Sequence, residues 1–291
     1  MKTQISIIGA SGKMGSWFIK YFLHRKDVIL KAYDIRTNSL GNFPNIIIEN
    51  SLQQCVETSD VVILCVPLRV IPKMIKICSK LMKPSSKLVE ISSIKNKSFR
   101  ELKSISDFIV PICIHPMFGP GASREKDLKV LFIPIRNREN EIKVVKTMFP
   151  KSNILEVKNV NLHDQMMAVV LGLTHYVNIL FADVLHEKNY YDLLTFGGTT
   201  FKIQCILSES ILNDEPELIN SLFFDNHFFK KELLNYLKMN QKYNELINDK
   251  NELKLLKNLT NIKSSLRKYH NIKDSYEKMY EFMNILNNQE K

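Results

Sequence analysis

The chain has 291 residues, 45% of them hydrophobic, and its 41 lysines and arginines outnumber 30 aspartates and glutamates to give a formal net charge of +11. Single cores stop growing near ~250–300 residues, so this length predicts two domains. No uncharged apolar run of about 18 residues or more is read, the chain opens on an apolar strand instead of a basic leader, and no helix-turn-helix, zinc-finger or aromatic RNA-binding pattern accompanies the charge. A soluble cytoplasmic protein with no membrane or nucleic-acid partner is therefore expected, and an anionic small substrate suits the charge.

Gln4 to Ile8 reads as a β-branched strand running into Gly9-Ala10-Ser11-Gly12-Lys13-Met14-Gly15, after which Ser16 to Arg25 has helical periodicity. Strand, glycine turn and helix stand in the order a dinucleotide site requires. Gly9 allows the tight turn, Gly12 lets backbone approach a pyrophosphate and Gly15 lets the helix pack on the strand, with Ser11, Lys13 and Met14 carried in the same turn. Val28 to Tyr33 is a second strand, ended by Asp34. That carboxylate accepts hydrogen bonds from an adenosine ribose and repels a 2′-phosphate, so NAD is expected over NADP; Arg36, two residues on, could stack on adenine or reach a phosphate.

Asp60 to Val66 is an apolar run ended by Pro67, as expected of a central parallel strand buried on both faces, and Val66 and Pro67 are expected beside the nicotinamide. Ile71 to Leu81 reads as a crossover helix and Lys87 to Ile91 as the next strand, which delivers Ser92-Ser93-Ile94-Lys95 to the same sheet edge. Ser93 is a candidate site residue or, in the plainer reading, the N-cap of a helix over Lys97 to Ser104. Phe108 to Ile114 is a short buried strand that places His115 at its carboxyl end, where open α/β sheets bind ligands. His115 opens a Pro- and Gly-rich loop, His115-Pro116-Met117-Phe118-Gly119-Pro120-Gly121. Leu128 to Pro134 adds a strand and Glu139 to Met148 an amphipathic helix.

From Leu162 the pattern is helical. Met166 to Leu185 is nearly all apolar, which predicts burial against partner helices on more than one side. A Gly197-Gly198 break precedes a helix over Thr199 to Leu212, and Phe228 to Tyr243, Leu253 to Tyr269 and Asp274 to Asn287 read as amphipathic helices rich in Lys and Asn. The five cysteines, Cys55, Cys65, Cys78, Cys113 and Cys205, form no CxxC pair and have no histidine at ligand spacing, so no metal site is expected.

The glycine turn, Ser92-Ser93-Ile94-Lys95 and His115-Pro116-Met117-Phe118-Gly119-Pro120, continued by His163-Asp164-Gln165, together resemble the prephenate/arogenate dehydrogenase family of tyrosine biosynthesis over roughly residues 4–216. The resemblance implies an α/β protein: a Rossmann-like doubly wound sheet domain over 1–160, then an all-helical dimerisation domain over 161–291 that forms a homodimer. It implies oxidative decarboxylation of prephenate to 4-hydroxyphenylpyruvate with hydride transfer to NAD or NADP; arogenate, with an amino group in place of the keto group, is the alternative substrate. By the same resemblance His115 is catalytic and hydrogen-bonds the ring 4-hydroxyl, Ser93 helps hold that hydroxyl and the histidine, and His175 lies near the substrate side chain. Without it, His175 reads as a half-buried helix histidine. Neither an appended regulatory domain nor a fused chorismate mutase is expected.

One departure stands out. Registering Glu215-Pro216 on the family's Asp-Pro puts Ser210 where the family carries the arginine that grips the ring carboxylate, and a serine cannot replace that fork-shaped charge. Lys202, which matches a basic position in relatives, is the candidate substitute, with Arg124 and Lys126 as others. Two further readings stand beside this one. A β-hydroxyacid dehydrogenase of similar build would need an interdomain lysine where this chain has His163, Asp164 and His175. A non-catalytic nucleotide-binding regulatory protein is permitted by Ser210 and opposed by the joint presence of Ser93, His115 and His175.

Overall fold

The computed structural model describes residues 2–36, 43–123, 128–269 and 271–289, with side chains described through residue 285. Its first part alternates strand and helix: β1 (Thr3–Ile8), α1 (Lys13–Phe22), β2 (Val28–Tyr33), β3 (Ile46–Ile48), α2 (Leu52–Val56), β4 (Val61–Leu64), α3 (Ile71–Leu81), β5 (Lys87–Glu90), α4 (Asn96–Ser104), β6 (Val110–Pro116), β7 (Lys129–Ile133), α5 (Arg138–Met148) and β8 (Asn153–Glu156). The sheet order is β3-β2-β1-β4-β5-β6-β7-β8, parallel throughout except for β6 against β7.

Successive residues of the central strands face opposite layers. Ile5, Ile7, Val61 and Ile63 join Trp17, Phe18 and Phe22 of α1 and Val145 and Met148 of α5 in one core. Ile8, Val62 and Leu64 join Ile71, Ile75 and Cys78 of α3 and Leu102 of α4 in the other. Because both faces are covered, β4 has no polar position, which is why it reads as an unbroken apolar run. The strand order reverses between β1 and β4, so ligands are expected at the shared carboxyl edge of β1, β4, β5 and β6.

At that edge Gly9 has φ +83°, and a Cβ there would run into the Cys65 carbonyl that follows β4. A Cβ at Gly15 would run into the Gly9 carbonyl, so α1 crosses the end of β1 at a distance that only glycine permits. The loop after β6 is held by Trp17, whose Nε1 donates to the Ala122 carbonyl at 3.0 Å and whose ring centre lies 4.7 Å from that of Phe118.

Beyond β8 the chain is helical: α6 (Val160–Met167), a π-helical segment (Ala168–Leu173), α7 (Thr174–His186), α8 (Tyr190–Phe196), α9 (Thr199–Leu212), α10 (Pro216–Phe224), α11 (Phe229–Asn248), α12 (Glu252–Leu266), a short 3-10 turn (Ile272–Asp274) and α13 (Ser275–Gln289). The chain divides into two compact units, Met1–Met167 with Asn220–Asn226, and Ala168–Ile219 with His227–Lys291. The division lies inside the long helix, after α6, where the sequence places a boundary at 160. In the second unit Asn178 Oδ1 accepts from Gln204 Nε2 at 2.7 Å and from Ser208 Oγ at 3.1 Å, a buried polar tie between α7 and α9.

The long helix is largely uncovered by its own chain, and the expectation that no long uncharged apolar stretch occurs is corrected. Only 17% of its most apolar window is buried within the chain, and Met166, Val169, Val170, Leu180 and Val184 are exposed, so a single chain does not cover it on more than one side. The helix Val160–His186 is also long and apolar enough, by length and composition alone, to cross a membrane. Its central stretch is interrupted by Gln165, Thr174, His175 and Asn178 but by no charge. The short elements β3, α2 and β8 were not separable from loops, since three to five residues are too few to show a period.

Gly9→Ala is expected to lower the unfolding free energy by about 2–4 kcal/mol, because it adds left-handed strain to an overpacked contact. Gly12→Ala, whose Cβ would stand 3.3 Å from the Gly9 carbonyl oxygen, is expected to cost much less. Urea titration of both variants checks the difference.

Candidate active site

His115 lies at the carboxyl end of β6 and is only 4% exposed. The neighbouring strand β5 ends in Glu90, and the turn after it brings Lys95 back to that carboxylate. The two side chains are fully buried and ion-paired at 2.7 Å. Lys95 Nζ also donates to the Ile114 carbonyl at 2.5 Å, while Glu90 accepts from the Ser92 N–H at 2.5 Å and the Cys113 thiol at 3.7 Å. Burying each ion costs several kcal/mol of desolvation, which a full set of partners offsets. The result is a clamp between two strand ends that fixes the peptide group just before His115.

His115 Nδ1 lies 3.0 Å from Nε2 of His163 in α6, and His163 Nδ1 lies 2.8 Å from Oδ1 of Asp164. The Asp164 carboxylate also accepts from the Lys95 N–H at 2.9 Å and the Asn96 N–H at 3.0 Å. Those are the first amides of α4, so a residue far along the chain caps that helix. Ser93 is therefore not its N-cap; the N-cap position is Lys95, without a side-chain cap of its own. Nor does Ser93 hold the histidine as expected: it is half-buried in the turn, and the ring partner of His115 is His163.

Burial, reinforced by repulsion from His163 and Lys95, holds the His115 ring well below the ordinary histidine range. Burial also lowers His163, against the opposing pull of Asp164. Both rings are neutral near pH 7, each with one donor and one acceptor nitrogen. Burial pushes the thiols of Cys55 and Cys78 up to about 11 and about 12, and those of Cys65 and Cys113 higher still, so these four are poor nucleophiles and poor metal ligands.

At the start of α1, Gly12 is the N-cap and offers no side-chain cap to the free amides; Lys13 is exposed and Met14 packs on the core. Asp34, just after β2, accepts from the Ser11 N–H at 3.0 Å and the Arg36 N–H at 2.9 Å. Burial opposes its ionisation, but the backbone bond from Arg36, the Ser11 hydroxyl and amide and the Arg36 charge outweigh it and hold the carboxyl below the usual carboxylate range. Arg36 itself is exposed, with one guanidinium nitrogen 3.5 Å from Ser11 Oγ. Val66, half-buried, and Pro67, exposed, follow the end of β4. A glycine cradle, uncapped helix amides and a charged acceptor on the next strand fit an adenine dinucleotide.

In the second unit His175 is buried on α7. Its Nδ1 donates to the Leu171 carbonyl at 2.8 Å, and its Nε2 lies 3.5 Å from Asp214 Oδ2. Lys202 is exposed in the first turn of α9. Ser210 is exposed too, its hydroxyl donating to the Leu207 carbonyl of its own helix at 2.8 Å. Arg124 and Lys126 lie outside the described residues. Sequence reasoning assigned no role to Glu90, Lys95, Asp164 or Asp214, nor to His163 as a partner of His115. Glu90 and Lys95 left a signal, an acid closing a doubly buried strand with a lysine five residues on; the others act across long separations that no local pattern reports.

These observations define a two-domain dinucleotide-binding protein: a doubly wound sheet with a glycine turn at its switch point, a buried histidine at a nearby strand end, and a helical second unit. Residues 19–150 match the model for the prephenate dehydrogenase nucleotide-binding domain, and residues 159–261 the model for the prephenate dehydrogenase dimerization domain. The chain belongs to the prephenate dehydrogenase family. It is 24% identical over 254 residues to a probable arogenate/prephenate dehydrogenase of Methanocaldococcus jannaschii; the match covers 84% of this chain and 57% of the relative, so the chain spans little more than half that protein's length. Among solved structures, prephenate dehydrogenase from A. aeolicus in complex with hydroxyphenyl propionate and NAD+ superposes with a TM-score of 0.75 at 21% identity, covering 93% of this chain and 99% of that one. Synechocystis arogenate dehydrogenase gives 0.65 at 15%, covering 92% and 100%. Both share the fold.

Lys95→Met leaves Glu90 buried without its cation and is expected to cost about 3–5 kcal/mol in a urea titration. Acid should weaken the fold as well. Because the folded state holds His115 and His163 below their unfolded values, the unfolded chain takes up protons first, and stability is lost as pH falls below about 6.5, at up to about 1.4 kcal/mol per pH unit for each ring. Melting temperatures measured from pH 7 downward should fall less steeply in His115→Asn than in the native protein.

Proposed function

We propose that the chain is an NAD-dependent prephenate dehydrogenase that yields 4-hydroxyphenylpyruvate for tyrosine biosynthesis and works in the cytoplasm as a homodimer. The observation that supports this most is the buried, neutral His115 at the end of β6, on the sheet edge where the glycine turn and Asp34 suit a dinucleotide. In this reading Gly9, Ser11, Gly12, Lys13, Met14 and Gly15 meet the pyrophosphate, Asp34 and Arg36 the adenosine, and Val66 and Pro67 the nicotinamide. Asp34 favours NAD over NADP, since its charge repels a 2′-phosphate. A second copy of the chain covers the apolar residues that the long helix leaves exposed.

NAD, when bound, supplies the acceptor for the hydride leaving the ring carbon that bears the hydroxyl. His115 takes the hydroxyl proton on the nitrogen that His163 does not engage. The bond to the opposite carboxylate then breaks, its electron pair enters the ring as carbon dioxide leaves, and the proton returns to the oxygen of the aromatic product. Ser93 hydrogen-bonds the same hydroxyl, Lys202 places a positive charge for the ring carboxylate, and His175 meets the side chain. A general base of this kind is worth ~10²–10⁴ in rate.

Arogenate is the second reading, and one observation favours it. Asp214 stands 3.5 Å from His175, where its carboxylate would pair with the ammonium that replaces the keto group of prephenate.

Initial rates of NADH formation with prephenate and with arogenate, each with NAD and NADP, test both readings. Turnover of neither would sink the dehydrogenase assignment. His115→Asn is expected to lower kcat ~10²–10⁴-fold with little change in KM, and the acid limb of kcat/KM should lie below the pH ~6.5 of an ordinary histidine. If arogenate is the substrate, Asp214→Asn should depress its kcat/KM and spare that of prephenate.

A further inference from the structure

We infer that His163 and Asp164 are positioning residues that hold His115 in one tautomer, with the proton on Nδ1 and the lone pair on Nε2. Three facts lead there. The backbone amides of Lys95 and Asn96 can only donate, so the Asp164 oxygens they reach, at 2.9 and 3.0 Å, are acceptors. His163 Nδ1, 2.8 Å from one of those oxygens, must therefore carry a proton. A neutral imidazole has one N–H, so His163 Nε2 presents its lone pair to His115 Nδ1 at 3.0 Å, and His115 is the donor in that contact. The remaining nitrogen of His115, Nε2, is left as the acceptor.

The geometry of the chain of groups agrees. The two rings meet edge to edge, centres 5.2 Å apart and planes at 61°, as a nitrogen-to-nitrogen hydrogen bond requires and as stacking does not. All three side chains are buried, and the Asp164 carbonyl is itself held by Asn226 Nδ2 at 2.8 Å, so the relay has one arrangement. Free histidine exchanges readily between tautomers. In the other form His115 would offer N–H to the substrate hydroxyl and could not take its proton. When His115 does take a proton, its Nδ1–H strengthens as a donor to His163, whose own Nδ1–H is drawn toward the Asp164 carboxylate. The new charge is thus spread along the relay without a second proton moving.

The catalytic consequence rests on the reading of His115 as the proton acceptor; the tautomer does not. It is read directly by nuclear magnetic resonance of the protein with isotope-labelled histidine ring nitrogens, without substrate. The expected spectrum shows His115 protonated at Nδ1 and bare at Nε2, and His163 likewise; a His115 ring protonated at Nε2 overturns the proposal whatever the enzyme turns over. Two variants then link tautomer to rate. In His163→Gln the amide oxygen stands close to the place of the imidazole Nε2 and still accepts from His115, so the tautomer and most of kcat should survive. In His163→Leu the acceptor is gone, and the His115 signals should become those of mixed tautomers as kcat falls ~10²-fold or more with the KM for NAD unchanged. Equal loss in both variants with the His115 tautomer unaltered would show a purely structural role and overturn the inference. If neither cyclohexadiene is turned over, the spectra still decide the relay while the functional reading alone fails.

Discussion

The carboxylate of Asp164 is the constraint on which the first unit's functional edge depends. It is fully buried and receives three N–H groups: the two opening amides of α4 and the ring of the adjacent His163. A buried carboxylate is costly unless its lone pairs are taken, and charge-assisted bonds to a helix start are among the few arrangements that repay it. Once they form, the start of α4, the start of the long helix and the histidine at the end of β6 are held in one register. That also explains why α6 belongs with the sheet unit, although the helix it begins runs on into the other.

The Lys95–Glu90 pair is a second constraint on the same few residues, and it acts on backbone instead of rings. Lys95 gives its amide to Asp164 and its ammonium to Glu90 and the Ile114 carbonyl. One residue thus joins the helix cap to the strand that bears His115. The positive charge of Lys95 also disfavours a second proton on His115 and His163.

Much of this was legible in the sequence, and the rest was not for stated physical reasons. The central strands could be read because both faces are apolar, and the glycine turn because a left-handed Gly9 and a tightly packed Gly15 tolerate no other residue. His115 could be placed because a strand that stops at Pro and Gly must end at the sheet edge. The long helix could be read as covered but not by what, because apolar composition reports that a face will be covered and not whether its own chain covers it. The partner of the His115 ring lies 48 residues further along the chain, in α6, a pairing that no local pattern reports. Periodicity records an element's relation to water, and it is silent about which two elements meet.

The departure at Ser210 gains its meaning from the distribution of charge. The excess of positive residues gives a net +11, and among the described residues the buried Lys95 is balanced by Glu90, so the described excess lies on the surface. A basic surface draws an anion in but does not orient it. An arginine fork orients a carboxylate by two parallel bonds, whereas a lysine such as Lys202 supplies charge on a flexible stem. Within each unit a histidine does have a fixed second bond, His115 to His163 in the first and His175 to the Leu171 carbonyl in the second, and such a bond sets the direction of the other ring nitrogen.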